Sequence, residues 1–249
     1  MSNSEKSLYI YGRNAVSETL KSGRSIEKMF VDKPPYQGSL QMIVAKAKEM
    51  RIPIQVCDRE KLNELAQGGH HQGVVVQCAA TEYVDVEDIL KKAEEKGEAP
   101  FLLLLDGIED PHNLGAIIRT AHQAGAHGVI IPKNRAAGLT ATVARVSAGA
   151  LAYLPVAQVT NLARTMEELK KEGLWFACAD MDGDVLYRQD LKGPLGLVIG
   201  SEGSGVSQNV KKHCDFVVSI PMAGQIDSLN ASVAAGILMY EVVRQRNYA

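Results

Sequence analysis

The segment Ile220–Ser232 concentrates residue types that suit a ligand with polar edges. It runs from the end of an apolar strand, Phe216–Ile220, through a Pro/Gly turn into a helix that starts at a Ser-x-Asn signature. The start of a helix presents free backbone N–H groups and the positive end of the helix dipole. We expect Ser228 to cap this helix and Asn230 to face the loops. The sequence therefore predicts part of a binding site here.

A second polar segment follows the apolar run Phe101–Leu105. Asn113 is expected to cap the helix that begins after an Asp-Pro turn. Gly115 and Arg119 are four residues apart and share a face of that helix. A glycine one turn before an arginine leaves room for a bulky ligand, such as a phosphate, beside the guanidinium. The local pattern fits a solvated Arg119 equally well, so both interpretations stay open.

A third segment is a glycine-rich loop after the strand Leu195–Ile199. Gly200, Gly203 and Gly205 allow the backbone to approach a ligand closely, although a turn alone would also explain them. Their G-x-x-G-x-G spacing differs from the G-x-G-x-x-G dinucleotide fingerprint, which argues against a nucleotide-binding dehydrogenase. Glu202 is suited to orient a ligand or backbone amides, unless it is simply exposed.

The elements that position these loops alternate between strands and helices from Phe101 onward. The predicted strands are Phe101–Leu105, Gly128–Ile131, Leu151–Pro155, Trp175–Ala179, Leu195–Ile199 and Phe216–Ile220. Helices are predicted over residues 114–124, 140–148, 161–172, 207–213 and 228–246. Apolar strands with intervening helices indicate an α/β fold with a mostly parallel sheet covered on both faces. Ligands bind at the carboxyl ends of such strands, so the three loops should form one composite site.

The N-terminal part reads as a separate small α/β domain. Short strands near residues 9–11, 29–31, 54–56 and 74–78 alternate with helices near 14–21, 39–50 and 59–66. A polar helix, Asp85–Lys96, follows, with Asp85 as N-cap and Gly97 as its stop. Its high charge suits a linker. The predicted division is a domain at 1–80, a linker at 81–98 and a domain at 99–249.

Charge and composition narrow the class of protein. The net charge is −2, but residues 1–80 hold 11 Lys/Arg and 8 Asp/Glu, which fits either a nucleic-acid docking surface or ordinary solvated lysines. The four cysteines are widely spaced, which favours reduced thiols over a zinc site. Met1–Lys6 has no apolar run, so we expect no signal peptide, and no segment approaches bilayer length. We expect a cytoplasmic protein without metal or membrane partner.

Three motifs together resemble those of the SpoU (TrmH) family of RNA ribose 2′-O-methyltransferases, in the SPOUT class. They are Asn113-x-Gly-x-x-x-Arg119, Gly200-Ser-Glu-Gly-x-Gly205 and Pro221…Ser228-Leu-Asn-x-Ser232. Their order and spacing agree with the family, and the triple is far more specific than any one member. This resemblance covers about residues 99–249. The N-terminal domain resembles the ribosomal-protein-like substrate-binding domain of RlmB-type members, which modify a guanosine of 23S ribosomal RNA.

The resemblance implies a fold, a cofactor and an assembly. The C-terminal chain would form a trefoil knot that holds S-adenosylmethionine between loops matching Ile199–Gly205 and Ile220–Leu229. The cofactor-binding residues would be Gly200, Gly203, Ile220, Met222 and Leu229. Members of the family are homodimers with the last helix in the interface. Ribosomal RNA would be the substrate, and no metal is required.

Roles also follow from the resemblance for the polar residues. Arg119 is the family's catalytic arginine, which has been regarded as a base. Because an arginine is normally always protonated, we favour a phosphate grip that makes the ribose hydroxyl more acidic. Asn230 and Ser228 would orient the ribose and Arg119, with Glu202 in support. The substrate-binding residues would be Asn113 and Gly115.

Two alternatives remain for the function. A transfer-RNA enzyme of the same family would share all three motifs, although a separate N-terminal domain favours ribosomal RNA. A non-catalytic RNA-binding or ribosome-assembly factor could keep the fold. Docking alone would not require Asn113, Arg119, Glu202 and Asn230 together, which argues against that factor.

Overall fold

The computed structural model describes residues 7–22, 26–79, 82–225 and 228–248. Met1–Lys6, on which the expectation of no signal peptide was based, lies outside the described residues, as do Ile226 and Asp227 of the third motif. Contacts divide the chain into two compact units. The first extends to Glu82 and includes Leu139–Tyr153, and the second comprises Tyr83–Gly138 and the chain from Leu154 onward.

The helices and strands follow the alternation expected for an α/β protein. The strands are β1 Ser7–Tyr11, β2 Ile26–Val31, β3 Ile54–Val56, β4 Val74–Ala79, β5 Phe101–Asp106, β6 Gly128–Pro132, β7 Val156–Val159, β8 Trp175–Val185, β9 Leu195–Gly200 and β10 Phe216–Ser219. The helices are α1 Arg13–Lys21, α2 Ser39–Glu49, α3 Arg59–Leu65, α4 Val86–Lys96, α5 Pro111–Gln123, α6 Ala141–Val146, α7 Leu162–Lys171, α8 Gln208–Lys211 and α9 Ala231–Tyr248.

The first unit is built on a four-stranded sheet with the order β1-β4-β2-β3. Strand β4 is antiparallel to both of its neighbours, whereas β2 and β3 are parallel. The amphipathic spacing of α2 is confirmed, because Leu40, Ile43, Val44 and Ala47 are its buried residues. The segment Leu139–Tyr153 belongs to this unit as well, although the sequence places it in the second domain.

A hydrogen bond and a ring contact attach that segment. Arg145 donates from a terminal guanidinium nitrogen to the Tyr11 hydroxyl at 2.8 Å, and its guanidinium carbon lies 5.6 Å from the centre of the Tyr11 ring. A cation over an aromatic face is stabilising. The attachment joins residues 134 positions apart in the chain, which explains why no local pattern predicts it.

The second unit contains a six-stranded, all-parallel sheet with the order β10-β8-β9-β5-β6-β7. The predicted α/β fold with a mostly parallel sheet is confirmed. Strand β5 is apolar and buried from Phe101 to Leu105 and lies at the centre of the sheet. After β5 the chain continues to β6 on one side of the sheet, whereas after β9 it continues to β10 on the other side. At the carboxyl ends of this β5–β9 pair, Asp106 is opposite Gly200. Such a switch point is where open α/β sheets bind ligands.

One predicted strand is wrong. Residues Leu151–Pro155 form no strand; a 3-10 turn covers Ala150–Ala152, and β7 begins only at Val156. Gly149, with a φ of 94°, starts this turn, and its carbonyl accepts from Ala152 N at 3.0 Å. Pro155 has no N–H for a sheet ladder and contributes only its carbonyl, which accepts from Val129 N at 3.0 Å.

Helix α4 has the predicted caps but packs more tightly than a linker would. Asp85 and Asp88 form a reciprocal capping box, and Gly97 ends the helix in the left-handed region with a φ of 65°. Ile89 and Ala93 are fully buried. A Cβ on Gly128 would lie 2.6 Å from Ile89, so the glycine makes room for it. The segment predicted as a linker therefore adds its apolar face to the core of the second unit.

The sequence predicts neither a membrane span nor a metal site. Within that part of the chain, no helix has the length and apolar character needed to cross a membrane. The same residues hold no group of three or more His, Cys, Asp or Glu side chains suited to a metal ion. The cysteines are free thiols, with Cys78 and Cys178 buried and Cys57 and Cys214 partly buried.

Candidate active site

Helix α5 begins earlier than the sequence suggests, and this frees Asn113. Asp110 is the N-cap, since its side chain accepts from His112 N at 2.9 Å, and Pro111 occupies the first helical position. The predicted N-cap at Asn113 is therefore wrong. Asn113 lies within the first turn, where its amide is available to partners outside the helix.

The last helix also begins at a different cap. Ser228 is not the N-cap, because α9 starts at Ala231. Asn230 takes that role, and its Oδ1 accepts from Ser232 N at 3.0 Å and from Val233 N at 3.3 Å. Asparagine caps a helix as well as serine does, so the residue directly before the first helical residue takes the role. Capping holds the Asn230 side chain in one orientation, with its Nδ2 directed away from its own helix.

Asn113, Glu202 and Asn230 form one hydrogen-bonded group. Asn113 Nδ2 donates to Glu202 Oε1 at 2.8 Å, and Asn230 Nδ2 donates to Asn113 Oδ1 at 2.9 Å. Asn230 Nδ2 also donates to Glu202 Oε1. The structure thus brings one residue from each of the three motifs into direct contact, as the composite-site prediction requires.

The Glu202 carboxylate lies at the start of α9. Its Oε1 accepts from Ala231 N at 3.4 Å, in addition to the two amides. A carboxylate is favoured there by the free N–H groups and the helix dipole. Glu202 therefore ties the glycine-rich loop to the last helix and fixes two amide side chains.

A cavity of about 290 Å³ lies beside this group, near the lower end of the range for ligand sites. It opens at the carboxyl ends of β9 and β10, and residues from the middle of β8 line it as well. All five predicted cofactor-binding residues line it, namely Gly200, Gly203, Ile220, Met222 and Leu229. Glu202 and Ser228 line it too.

The wall of the cavity depends on the absence of a side chain at Gly200. A Cβ at this position would collide with the backbone of Gly205 and Val206. The loop folds back on itself, because Ser201 N donates to Gly205 O at 3.2 Å and Gly205 N donates to Ser201 O at 3.0 Å. Gly205 has a φ of 63°, which also favours glycine. Backbone of the loop therefore lines the cavity directly.

Sequence reasoning missed the contribution of β8. Ala179, Asp180 and Met181 line the cavity. Lys211 Nζ donates to Asp180 Oδ2 at 2.7 Å, and this hydrogen bond lowers the pKa of Asp180 despite a raising effect of burial. Asp180 is thus a carboxylate at neutral pH and can accept from ligand N–H or O–H groups. Its position directly after the predicted strand Trp175–Ala179 is a signal that could have identified it.

Arg119 and Gly115 lie apart from the hydrogen-bonded group. Gly115 is buried and Arg119 is exposed. Within the described part of the chain, Arg119 has no hydrogen-bond or ion-pair partner, and it does not line the cavity. It follows Asn113 by six residues, or about 9 Å along the helix axis. The structure therefore leaves a free guanidinium on the helix that supplies Asn113.

His122, one turn after Arg119, is not a second cation. Burial lowers its pKa, and the charges of Lys92 and Lys96 lower it further. The imidazole is therefore neutral at pH 7, and Arg119 is the positive charge on this part of α5.

Comparisons with known proteins point to one family. A model of the SpoU rRNA Methylase family matches residues 100–240, and a model of RNA 2′-O ribose methyltransferase substrate binding matches residues 9–84. The chain is 53% identical over 240 residues to YacO of Bacillus subtilis, whose name assigns it to the TrmH family of tRNA/rRNA methyltransferases, with 96% of each chain covered.

Two solved structures extend the comparison. The SpoU methyltransferase AviRb from Streptomyces viridochromogenes, in complex with AdoMet, has a TM-score of 0.82 and 27% identity and covers 98% of this chain and 92% of its own. The TrmH/SpoU tRNA modifying enzyme of A. aeolicus has a TM-score of 0.55 and 28% identity. It covers 64% of this chain and 83% of its own. More than a third of this chain thus lies outside that match.

Proposed function

The chain belongs to the SpoU (TrmH) family of RNA methylases, and from this premise we propose that it methylates the 2′-hydroxyl of a guanosine in 23S ribosomal RNA. The family membership makes the chain an S-adenosylmethionine-dependent RNA 2′-O-methyltransferase. The observation that carries the proposed site is the contact of Asn113, Glu202 and Asn230 beside the cavity.

The cavity suits S-adenosylmethionine. Ile220, Met222 and Leu229 offer apolar contact for an adenosine, and the backbone near Gly200 offers hydrogen bonds to its edges. Asp180 is a carboxylate that suits the cofactor's hydroxyl or ammonium groups. When bound, the cofactor supplies a methyl group that its sulfonium has already activated. The residues that would hold it are therefore those predicted, together with Asp180.

Arg119 is proposed to activate the ribose. A 2′-hydroxyl is a weak nucleophile, and removal of its proton needs a base or a nearby positive charge. A guanidinium stays protonated in proteins, so it cannot serve as the base. Arg119 would instead bind the adjacent phosphate and stabilise the alkoxide that develops on the ribose oxygen as its proton passes to solvent water. Because Arg119 has no protein partner among the described residues, it is available for this contact.

The remaining polar residues are proposed to orient the substrate. Asn113 and Asn230 are held by Glu202, which makes their positions rigid. Ser228 is exposed at the edge of the cavity and would contact the ribose. Gly115 leaves space one turn before Arg119. A fixed set of donors reduces the entropy cost of aligning the hydroxyl with the methyl group.

Two observations favour ribosomal RNA over transfer RNA. The family model that matches residues 100–240 is named for rRNA methylation. Residues 9–84 match a separate substrate-binding model, whereas the A. aeolicus tRNA enzyme matches only 64% of the chain. Transfer RNA remains the second candidate, since the name of the B. subtilis relative includes both substrates.

Mapping of ribose methylation in cells with and without this protein tests the proposal. We expect one guanosine of 23S RNA to lose its 2′-O-methyl group in the deletion strain and to regain it on complementation. Transfer RNA from the same cells is the internal control. A methyl group lost from transfer RNA alone would establish the second candidate instead.

We also propose that the chain is a homodimer with the family's trefoil knot. Val233, Ile237 and Tyr240 recur on one face of α9, and Val233 and Tyr240 are about half exposed. The small residues of α9, such as Ala235 and Gly236, are not part of this exposed apolar face. Ala235 is fully buried, and a Cβ on Gly236 would lie 3.8 Å from Thr120 of α5. The exposed apolar face is therefore left for a second copy.

Substitution of Tyr240 by glutamate tests the dimer. A charge in an apolar interface is costly to bury, so Tyr240→Glu should shift the protein from dimer to monomer in sedimentation velocity. Trp175→Glu changes a similarly exposed aromatic residue at the start of β8 and should leave the dimer intact. A monomeric wild type at micromolar concentration would refute the proposal.

A further inference from the structure

A polar recess in the first unit is separate from the candidate active site. Its volume is about 710 Å³. It lies among the start of α1, the loop after β2, α3 and the turn before β4. Its polar lining includes Arg13, Lys33, Arg59, Asn63, His71 and Gln72. Arg13 and the His70-His71 turn, which are far apart in the sequence, thus share one surface.

Arg13 is fixed in place with donor capacity to spare. Its backbone N donates to Gln72 Oε1 at 2.8 Å, and its Nε donates to Gln72 O at 3.1 Å. One terminal nitrogen donates to Ser39 Oγ at 3.3 Å. Among the described residues, the other terminal nitrogen has no partner. A guanidinium held in this way is ready to bind an anion with little loss of entropy.

Among the described residues that line the recess, Asp32 is the one carboxylate, and it already has hydrogen-bond partners. Asp32 Oδ2 accepts from Arg59 Nε at 3.1 Å, and Asp32 Oδ1 accepts from Lys33 N at 2.8 Å. Burial raises the pKa of Asp32, but these hydrogen bonds outweigh it, and the pKa is lowered. The Arg59 side chain is 80% exposed. The recess therefore carries a net positive charge, because the three cations Arg13, Lys33 and Arg59 outnumber the single carboxylate Asp32.

The recess also offers neutral hydrogen-bond donors. His71 Nδ1 accepts from Gly73 N at 3.0 Å, so in the neutral ring the proton is on Nε2. Burial lowers the pKa of His71, which keeps the ring neutral at pH 7. The amides of Asn63 and Gln72 add further donors. A site for phosphate alone would not need these neutral donors, whereas a site that recognises the edges of nucleobases uses them.

We propose that this recess binds unpaired nucleotides of the RNA substrate, with Arg13, Lys33 and Arg59 on the phosphates. His71, Asn63 and Gln72 then face the base edges. Base edges are accessible in single strands, whereas A-form duplexes present them in grooves that side chains read poorly. The inference rests on the proposed function and adds the form in which the RNA is recognised.

Binding of a labelled RNA tests the recess. The variant K33Q/R59Q removes two exposed charges from it, and the control K48Q/R51Q removes two exposed charges from the same unit outside it. The probe is a fluorescein-labelled, unstructured RNA of about 20 nucleotides, longer than common single-strand sites. We expect K33Q/R59Q to weaken binding about tenfold or more, with the control near wild type. The slope of log K against log salt should fall by about 1.4, or roughly 0.7 for each charge removed.

Several outcomes would overturn the inference. One is unchanged binding in K33Q/R59Q, and another is an equal loss in the control, which would indicate a general charge effect. A larger loss for a duplex of the same sequence would exclude recognition of unpaired nucleotides. Equilibrium dialysis with S-adenosylmethionine separates this inference from the proposed function. A wild type without cofactor binding would refute that function, whereas the RNA titrations alone decide the role of the recess.

Discussion

Replacement of Arg119 by alanine should lower kcat by about 10²–10³-fold, the usual effect of removing one group that stabilises developing negative charge. The fold should be kept, because Arg119 is exposed and has no partner among the described residues. S-adenosylmethionine should bind normally, since Arg119 does not line the cavity. Single-turnover methylation of ribosomal RNA from a deletion strain, together with equilibrium dialysis of the cofactor, measures both quantities.

The pH dependence of the Arg119→Ala rate tests whether the reaction proceeds through ionisation of the ribose hydroxyl. If Arg119 supplies only positive charge, the residual rate should rise steadily with pH as the free ribose hydroxyl ionises. Gln123→Ala changes an exposed residue on the same helix and should leave kcat unchanged. A variant with normal kcat and a raised KM would show that Arg119 only docks RNA, contrary to the proposed role.

Local sequence patterns predicted the elements well where burial is continuous. Every side chain of the run Phe101–Leu105 is apolar, so the strand is buried on both faces only in the middle of a covered sheet. It forms the central strand β5. Helix caps were less predictable. Asp110 and Asn113 are both good caps, and the choice depends on Pro111, which fits the first helical position.

The composite site was predictable only in part. Each loop follows an apolar strand, so their convergence on one edge of the sheet follows from parallel pairing. The partners within the site do not follow from any local pattern, because Asn113 and Glu202 are 89 residues apart. The position of Asp180 after an apolar strand was a local signal, but its interaction with Lys211, 31 residues away, was not. Long-range packing, which a local motif does not encode, therefore decides these details.

Substitution of Gly200 by alanine should weaken S-adenosylmethionine binding by about 100-fold, or roughly 2.7 kcal/mol. The new Cβ would overlap the backbone of Gly205 and Val206, and neither can move aside as a flexible side chain would. The Ser201–Gly205 turn must shift, and with it the wall of the cavity. Such overpacking typically costs about 1–3 kcal/mol of stability, so the melting temperature should fall as well.

A glycine without such a neighbour supplies the matched control for Gly200→Ala. Gly193 has no atom within 4 Å of an added Cβ, has no positive φ and lies outside the cavity. Gly193→Ala should therefore keep both cofactor affinity and stability. Equilibrium dialysis and thermal unfolding on the two variants distinguish a local effect from general unfolding. Normal cofactor affinity in a folded Gly200→Ala would place the cofactor elsewhere, because a wall displaced by a backbone collision cannot leave its ligand unaffected.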